Sequence, residues 1–272
     1  MLVGAWIRTV SVTLENTVFE DLKISFAVKK ESSLTPAIGE VVLYNLSVDR
    51  ENQIAEAGQA VRIDAGYKGN TSIIFEGFTQ RVDRDHDLSA KERKTTITLA
   101  AAKVAKKNLN GVSTFSFDGD RSIREIVRRL VTDIGLTVDD IALAVIPDES
   151  ISTYSVSDES AAALTRLLEP RQIYWYEDDG AARFNLPGKA EPIGLLYQLS
   201  PATGLIGSPS ITERGVKTRS TLNPKIRLGD RVEVDSAVIT GTFKVITLLH
   251  SGDNWRGDFF TETELAELTD EQ

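Results

Sequence analysis

The sequence predicts a β-rich α+β fold in which two small β-barrel domains flank an α+β insert. Three observations carry that reading. Apolar residues alternate with a period of two through the first hundred positions, the spacing becomes helical in the middle, and strand patterning returns in the last quarter. The expected boundaries are 1–110 for the first barrel, 111–188 for the insert and 189–272 for the second barrel.

The elements follow in order. Val10, Val12 and Leu14 alternate with Ser11 and Thr13, and Leu22, Ile24, Phe26 and Val28 alternate with Lys23, Ser25 and Ala27. Val61, Ile63 and Ala65 repeat the pattern, as do Ile97 and Leu99 between threonines. Such alternation sets one face on a core and the other on water or a partner. Between these runs lie turn residues at Glu15 and Asn16, a Gly-containing turn at 66–70 and a charged connection at 83–94. One helical turn is expected from Val48, with Ser47 as N-cap and Gly58 beyond its end.

In the middle, Ile123, Ile126, Val127, Leu130, Val131 and Ile134 recur at three- and four-residue steps. Asp120 or Ser122 caps that predicted helix and Gly135 ends it. A second helix is expected from Asp158 or Ser160 to Leu168, where Pro170 stops it. Ile173 to Tyr176, an Asp-Gly turn and a second run to Leu186 read as a hairpin. After a Gly-, Pro- and Ser-rich stretch with one short strand at 195–199, strands are expected around Val232, Phe243 and Phe259.

The most informative feature is an internal repeat. Gly39 to Leu46, Gly58 to Asp64, Gly77 to Val82 and Thr95 to Ala100 recur in the same order as Gly215 to Leu222, Gly229 to Asp235, Gly241 to Val245 and Phe260 to Ala266. The shared order is strand, connector, Gly-x-x-Val-x-[Ile/Val]-Asp, a strand after Gly, a polar loop and a Leu-ending strand. Two copies of one module carry open sheet edges that must be covered, and copies pairing head to tail can close a ring.

Composition excludes several chemistries. The 272 residues hold 31 Lys+Arg against 40 Asp+Glu, a net charge of −9, with two histidines and no cysteine. Zero cysteine removes disulfides, thiolate nucleophiles and Cys-ligated metals. The net acidity disfavours binding nucleic acid by phosphate neutralisation. The first residues lack a basic leader and no apolar run reaches membrane-span length, so folding in a reducing cytosol is expected.

The sequence contains no Gly-x-Ser-x-Gly, Walker loop or Gly-x-Gly-x-x-Gly, and no catalytic residue, cofactor or metal is expected. Asp83, Asp85 and Asp87 imitate the start of a calcium loop, but Leu88 and Lys94 stand where glycine and glutamate are needed. His250 reads as a turn-capping or interface histidine at a strand end. Glu177, Asp178 and Asp179 read as a solvated hairpin turn, and Tyr174, Trp175 and Tyr176 as cross-strand packing against Phe184. The competing reading is a carbohydrate-binding or carbohydrate-cleaving module built on those aromatics and acids.

Thr221 to Val232, Gly241 to Val245 leading into His250 to Trp255, Ser122 to Val127, Ser157 to Leu168 and Ile173 to Tyr176 together resemble the hub proteins of phage tails and related contractile injection systems. The resemblance covers nearly the whole chain. It implies two tail-tube-like barrels per chain and a homotrimeric, pseudo-sixfold baseplate hub. That hub joins the hexameric tail tube, or a distal tube protein, to a trimeric spike, beside baseplate wedge proteins in the virion. The tape measure protein and then DNA pass through its bore. Under this reading Glu40, Glu76, Glu233, Asp235 and Glu262 are candidate channel-lining residues. Asp83, Arg84, Asp85, His86 and Asp87 form a candidate tube-docking loop. The chain ends soon after the second barrel, so spike tip and wall-degrading activity are expected on other chains.

Overall fold

A computed structural model describes residues 7–54, 57–87, 92–101, 112–189, 191 and 194–268. Strands dominate. The first part holds β1 (Arg8–Leu14), β2 (Thr17–Phe19), β3 (Ile24–Glu31), β4 (Ile38–Tyr44), β5 (Ala60–Tyr67), β6 (Asn70–Asp87) and β7 (Glu92–Ala100), with helix α1 (Val48–Gln53) between β4 and β5. The last part holds β12 (Leu196–Leu199), β13 (Ser210–Thr212), β14 (Gly215–Thr221), β15 (Arg231–Asp235), β16 (Thr240–Asp253) and β17 (Phe259–Glu267). All of these strands join one 13-stranded sheet whose main path runs β13-β14-β17-β16-β3-β4-β7-β6-β5-β1-β2. Among the described residues that path is open.

The repeat is visible in the pairing. β4, β7, β6 and β5 lie side by side in that order, all antiparallel. β14, β17, β16 and β15 do the same. Both sets carry a bulge at the same place. In β6 it falls between Thr79 and Arg81, opposite Leu99 and Thr98; in β16 it falls between Val245 and Thr247, opposite Leu265 and Glu264. A bulge bends and twists its strand, so a shared one means a shared curvature. The ladders also correct the sequence alignment at two of its glycines, Gly39 aligning with Val216 rather than Gly215. Val61 faces Gly77 while Val232 faces Phe243, so the counterpart of Gly77 is Phe243 rather than Gly241.

Residues 25–31 of β3 pair with residues 253–247 of β16, which fuses the two repeats into a single sheet. Packing reinforces that seam. Phe259 of the second repeat meets the Phe26 ring at 5.9 Å and the Tyr67 ring at 5.3 Å, both edge-on. It belongs, with Leu222, to the apolar cluster of the first repeat.

The insert has its own apolar cluster. Helix α2 (Ile123–Ile134) buries the same six residues whose spacing predicted it. Ser122 occupies the N-cap position, yet its hydroxyl bonds Asp148 rather than the helix. Gly135 ends the helix in the left-handed region at φ 87°. Gly135→Ala is therefore expected to cost about 1 kcal/mol in urea unfolding, and an unchanged midpoint would contradict this account of the helix end. Helix α3 (Asp140–Leu143) follows. Helix α4 (Ser160–Leu168) starts at the later of its two predicted positions, because β9 (Ser150–Glu159) runs up to it. β9 pairs with β8 (Val112–Ser122) in a long ladder that the sequence reading missed. β10 (Tyr174–Asp178) and β11 (Ala181–Asn185) form the predicted hairpin. Asp179 and Gly180 both take positive φ, 49° and 79°, as a tight hairpin turn requires. Among the described residues no helix is long and apolar enough to cross a membrane.

Candidate functional site

Cross-strand partners share a face of a sheet, so the registers can be followed from strand to strand. Ala27 of β3 faces Glu40 of β4 on one side and Ser251 of β16 on the other. Glu40 faces Thr98, which faces Arg81 of β6, and farther along the same face of β6 Glu76 meets Arg62. In the second repeat Leu249, Glu262 and Arg219 continue that face. Beyond the bulge, Ala266 faces Lys244 and Lys244 faces Arg231, which puts Glu233 and Asp235 on it as well. All five carboxylates singled out in the sequence thus lie on one face, and the three apolar clusters pack elsewhere.

That face interleaves charges rather than concentrating acid. Lys29 pairs with Glu31 at 2.6 Å, Arg62 with Asp64 at 2.7 Å, and Arg81 with Asp83 at 2.8 Å. Glu262 is held by Lys217 at 3.0 Å and approached by Arg219 at 3.8 Å. Glu40, Glu233 and Asp235 are exposed and stand outside these pairs. Exposed pairs of this kind contribute little to stability, about 0–1 kcal/mol each, and what they set is the texture of the surface.

The expected tube-docking loop is not a loop. Asp83, Arg84, Asp85, His86 and Asp87 continue β6 and face Thr96, Thr95, Lys94, Arg93 and Glu92 of β7. Charged and polar residues fill this stretch of the ladder, and Thr95, opposite Arg84, is buried through a hydroxyl bond to Glu51 rather than by apolar packing, which is why the segment lacks an apolar signature. The tip, residues 88–91, lies outside the described residues. Arg84 is committed inward, donating from Nη2 to the Glu51 carbonyl oxygen at 3.1 Å.

On the opposite face, at the seam between the repeats, sits a buried ionic cluster. Lys30 is 3% exposed and its Nζ donates to Asp178 Oδ1 and Asp179 Oδ1, each at 2.8 Å. Arg227 donates from Nη1 to the other oxygen of Asp179. The acidic hairpin turn is therefore not solvated, which corrects the sequence reading. A cation from β3 and another from the loop before β15 clamp it. Burial alone would lower the Lys30 ammonium, but the two carboxylates outweigh it and hold it above its ordinary value. Burial raises the Asp178 carboxyl, and Lys30 outweighs that so the group stays ionised below the usual range.

His250 lies within β16 rather than at its end, facing Val28 and Thr261, with Nδ1 3.0 Å from Thr261 Oγ1. Burial, then the charges of Lys30 and Arg227, push its pKa down to about 3, so the imidazole is neutral. It caps no turn. A second buried group includes Lys244, whose register sets it on the carboxylate face but which is 3% exposed: Tyr176 donates its hydroxyl to Glu191, and Lys244 donates to Asn185 and to the Lys189 carbonyl oxygen. Lys30 did leave a trace in the sequence. It continues the buried phase of Ile24, Phe26 and Val28, and a charge in that phase signals a buried partner.

The carbohydrate reading loses its platform. Trp175 is 5% exposed with its ring nitrogen bonded to Thr165, and Tyr176 is 1% exposed. Trp175 faces Phe184 in the ladder, whereas Tyr176 faces Arg183 and Tyr174, 53% exposed, faces Asn185, so the expected packing against Phe184 holds for Trp175 alone. Among the described residues no cluster of His, Asp or Glu is placed to hold a metal ion.

Comparison with known proteins agrees with the fold. The family model described as baseplate hub gp41 matches residues 9–263. The 43 kDa tail protein of prophage MuSo2 from Shewanella oneidensis is similar at a TM-score of 0.66 and 10% identity, over 96% of this chain and 97% of that one. A tail protein from Neisseria meningitidis MC58 is similar at 0.65 and 10%, over 96% and 97%. The E. coli c3393 protein is a type VI secretion component with structural similarity to T4 tail proteins gp27 and gp5. It is similar to this chain at 0.58 and 10% identity, over 95% of this chain and 77% of that one. No curated protein matches the chain in sequence.

Proposed function

We propose a structural role at the tail tip, and the premise is plain: the chain belongs to the baseplate hub gp41 family. In this reading three copies form a pseudo-sixfold ring that joins the hexameric tube to a trimeric spike. The supporting observation is the doubled four-strand set, with matching bulges, merged through β3 and β16 into one sheet. Six such sets surround a bore. The charge-interleaved face lines it, with Glu40, Glu76, Glu233, Asp235 and Glu262 among the lining residues. Paired charges leave a weak net field, so tape measure protein and DNA pass without adhering.

Residues 1–110 and 189–272 are the two tail-tube-like barrels and 111–188 the middle domain. The separation of the apolar side chains into three clusters supports that division. The β6–β7 arm that carries Asp83 to Asp87 points to the neighbouring ring. The chain works without turnover in the virion baseplate, beside tube, spike, tape measure and wedge proteins. Negative-stain imaging of the purified chain, alone and with the adjacent spike protein, is the test. Threefold rings with an open centre are expected; closed particles, or rings of another order, would overturn the reading.

A further inference from the structure

The two repeats differ in what covers one strand edge. β16 has β17 along one side. Its other side is filled first by β15 and then, over residues 247–253, by β3. β6 is its counterpart in the first repeat. β7 runs along one side and β5 covers the other only as far as Phe78. Among the described residues nothing pairs with residues 81–87 on that second side.

The second repeat holds the complementary excess. β3 pairs with β4, and β14, the counterpart of β4, pairs with β13. Aligning Leu99 with Leu265 makes Gly39 equivalent to Val216, and hence Val28 equivalent to Ile211. Val28 is fully buried against the seam, whereas Ile211 is 81% exposed, an apolar side chain in a core position without its core. β13 ends the sheet path, so its outer edge is open among the described residues.

We infer that residues 83–85, within the open edge of β6, pair with β13 of a second copy, with Asp83 opposite Thr212, Arg84 opposite Ile211 and Asp85 opposite Ser210. The register is carried over from the seam within the chain, where Leu249, His250 and Ser251 face Lys29, Val28 and Ala27. Within the chain the two strands do not pair. β13 and β6 stand seven strand spacings apart along the sheet path, roughly 34 Å at the usual 4.8 Å spacing. One open edge and one unpaired strand per chain make a head-to-tail contact, the kind that closes into rings. β13 spans three residues and follows Pro209, which keeps the donor edge short in the free chain. This inference rests on the hub reading and names the surfaces through which its ring closes.

Cysteine cross-linking tests it, since the chain has no cysteine of its own. Asp85 and Ser210 are both exposed, and directly opposed strand residues lie within disulfide reach. In tails purified from particles whose hub carries both Asp85→Cys and Ser210→Cys, oxidation is expected to yield covalent trimers and nothing larger. Either single variant, and Val82→Cys with Ser210→Cys, should yield none. Tails that contain the double variant yet give no intermolecular disulfide would overturn the edge while leaving the hub reading intact; tails without the parent chain would overturn the hub reading itself. A second variant, Ile211→Asp, should melt like the parent chain and fail to enter tails. Normal incorporation would overturn the pairing.

Discussion

Lys30→Met is expected to lower the unfolding free energy by about 3–5 kcal/mol. Lys30 pairs with both Asp178 and Asp179, and the three side chains are 4%, 11% and 20% exposed. Methionine keeps the length and removes the charge. Two carboxylates then face each other in a buried site, with Arg227 reaching only Asp179. The cost is that of an uncompensated buried charge, not the modest net worth of an ion pair. The triple variant Lys30→Met, Asp178→Asn, Asp179→Asn should recover most of the loss. Urea titration of all three proteins decides the matter. A single-variant loss below about 1 kcal/mol, or a triple variant as weak as the single, would show the cluster to be incidental.

The acidity of the site gives this clamp a pH range. Asp178 is held below its ordinary value, so its stabilisation is full above the unfolded carboxylate pKa and disappears as pH falls through the folded one. Lys30 is held above its ordinary value, so its share is full below the unfolded lysine pKa and disappears as pH rises through the folded one. Between those limits the clamp is constant. It matters because it bridges parts distant in sequence. Lys30 belongs to the first repeat, Arg227 to the second and the turn to the insert, so the cluster fixes how the insert sits over the seam.

What the sequence disclosed and what it withheld follow from the range of the forces involved. Period-two alternation exposed β1, β3 and β5 because each buries a single face. Six apolar residues at helical spacing exposed α2 because its stripe is wide and its end is marked by Gly135. The duplication was legible as an order of turns and strands, and the pairing repeats that order, but the glycine alignment slipped by two residues because Gly77 and Gly241 do different jobs. β8 was missed because Val112–Ser122 carries few apolar residues and pairs in a two-stranded ladder with little to bury. The arm at 81–87 was read as a loop for the same reason. The buried turn was misread because Asp-Gly chemistry reports only the bend. Its partners lie 148 and 48 positions away, beyond any local pattern.

Glu191→Gln should flatten a pH dependence of stability that is expected of the parent chain between pH 4.5 and 7. Burial pushes the Glu191 carboxyl up from 4.5 to about 7, against the pull of the Tyr176 hydroxyl bonded to it and of Lys244. A carboxyl whose pKa is raised on folding keeps its proton in the folded chain while the unfolded chain has lost it. Stability therefore falls as pH rises through that window, by about 3 kcal/mol in all. Lys244 behaves in the mirror sense. Burial lowers its ammonium to about 8, so stability is recovered as pH rises from there toward the ordinary lysine value. The two together place a minimum between pH 7 and 8. Glutamine can still accept from Tyr176 but has no proton to hold, so the descending limb should vanish, and the rising limb should begin at lower pH because the Glu191 charge no longer holds the Lys244 ammonium up. Urea midpoints at pH 5 and pH 7 measure it: a clear fall for the parent chain and none for the variant are expected, and parallel falls would refute the assignment. The fit around Glu191 explains why this carboxyl is buried at all. Gly229, the glycine that opens the repeat motif, adopts φ 82°, and a side chain there would collide with Glu191. The repeat's own turn thus leaves the space that the Glu191 side chain occupies beside Tyr176.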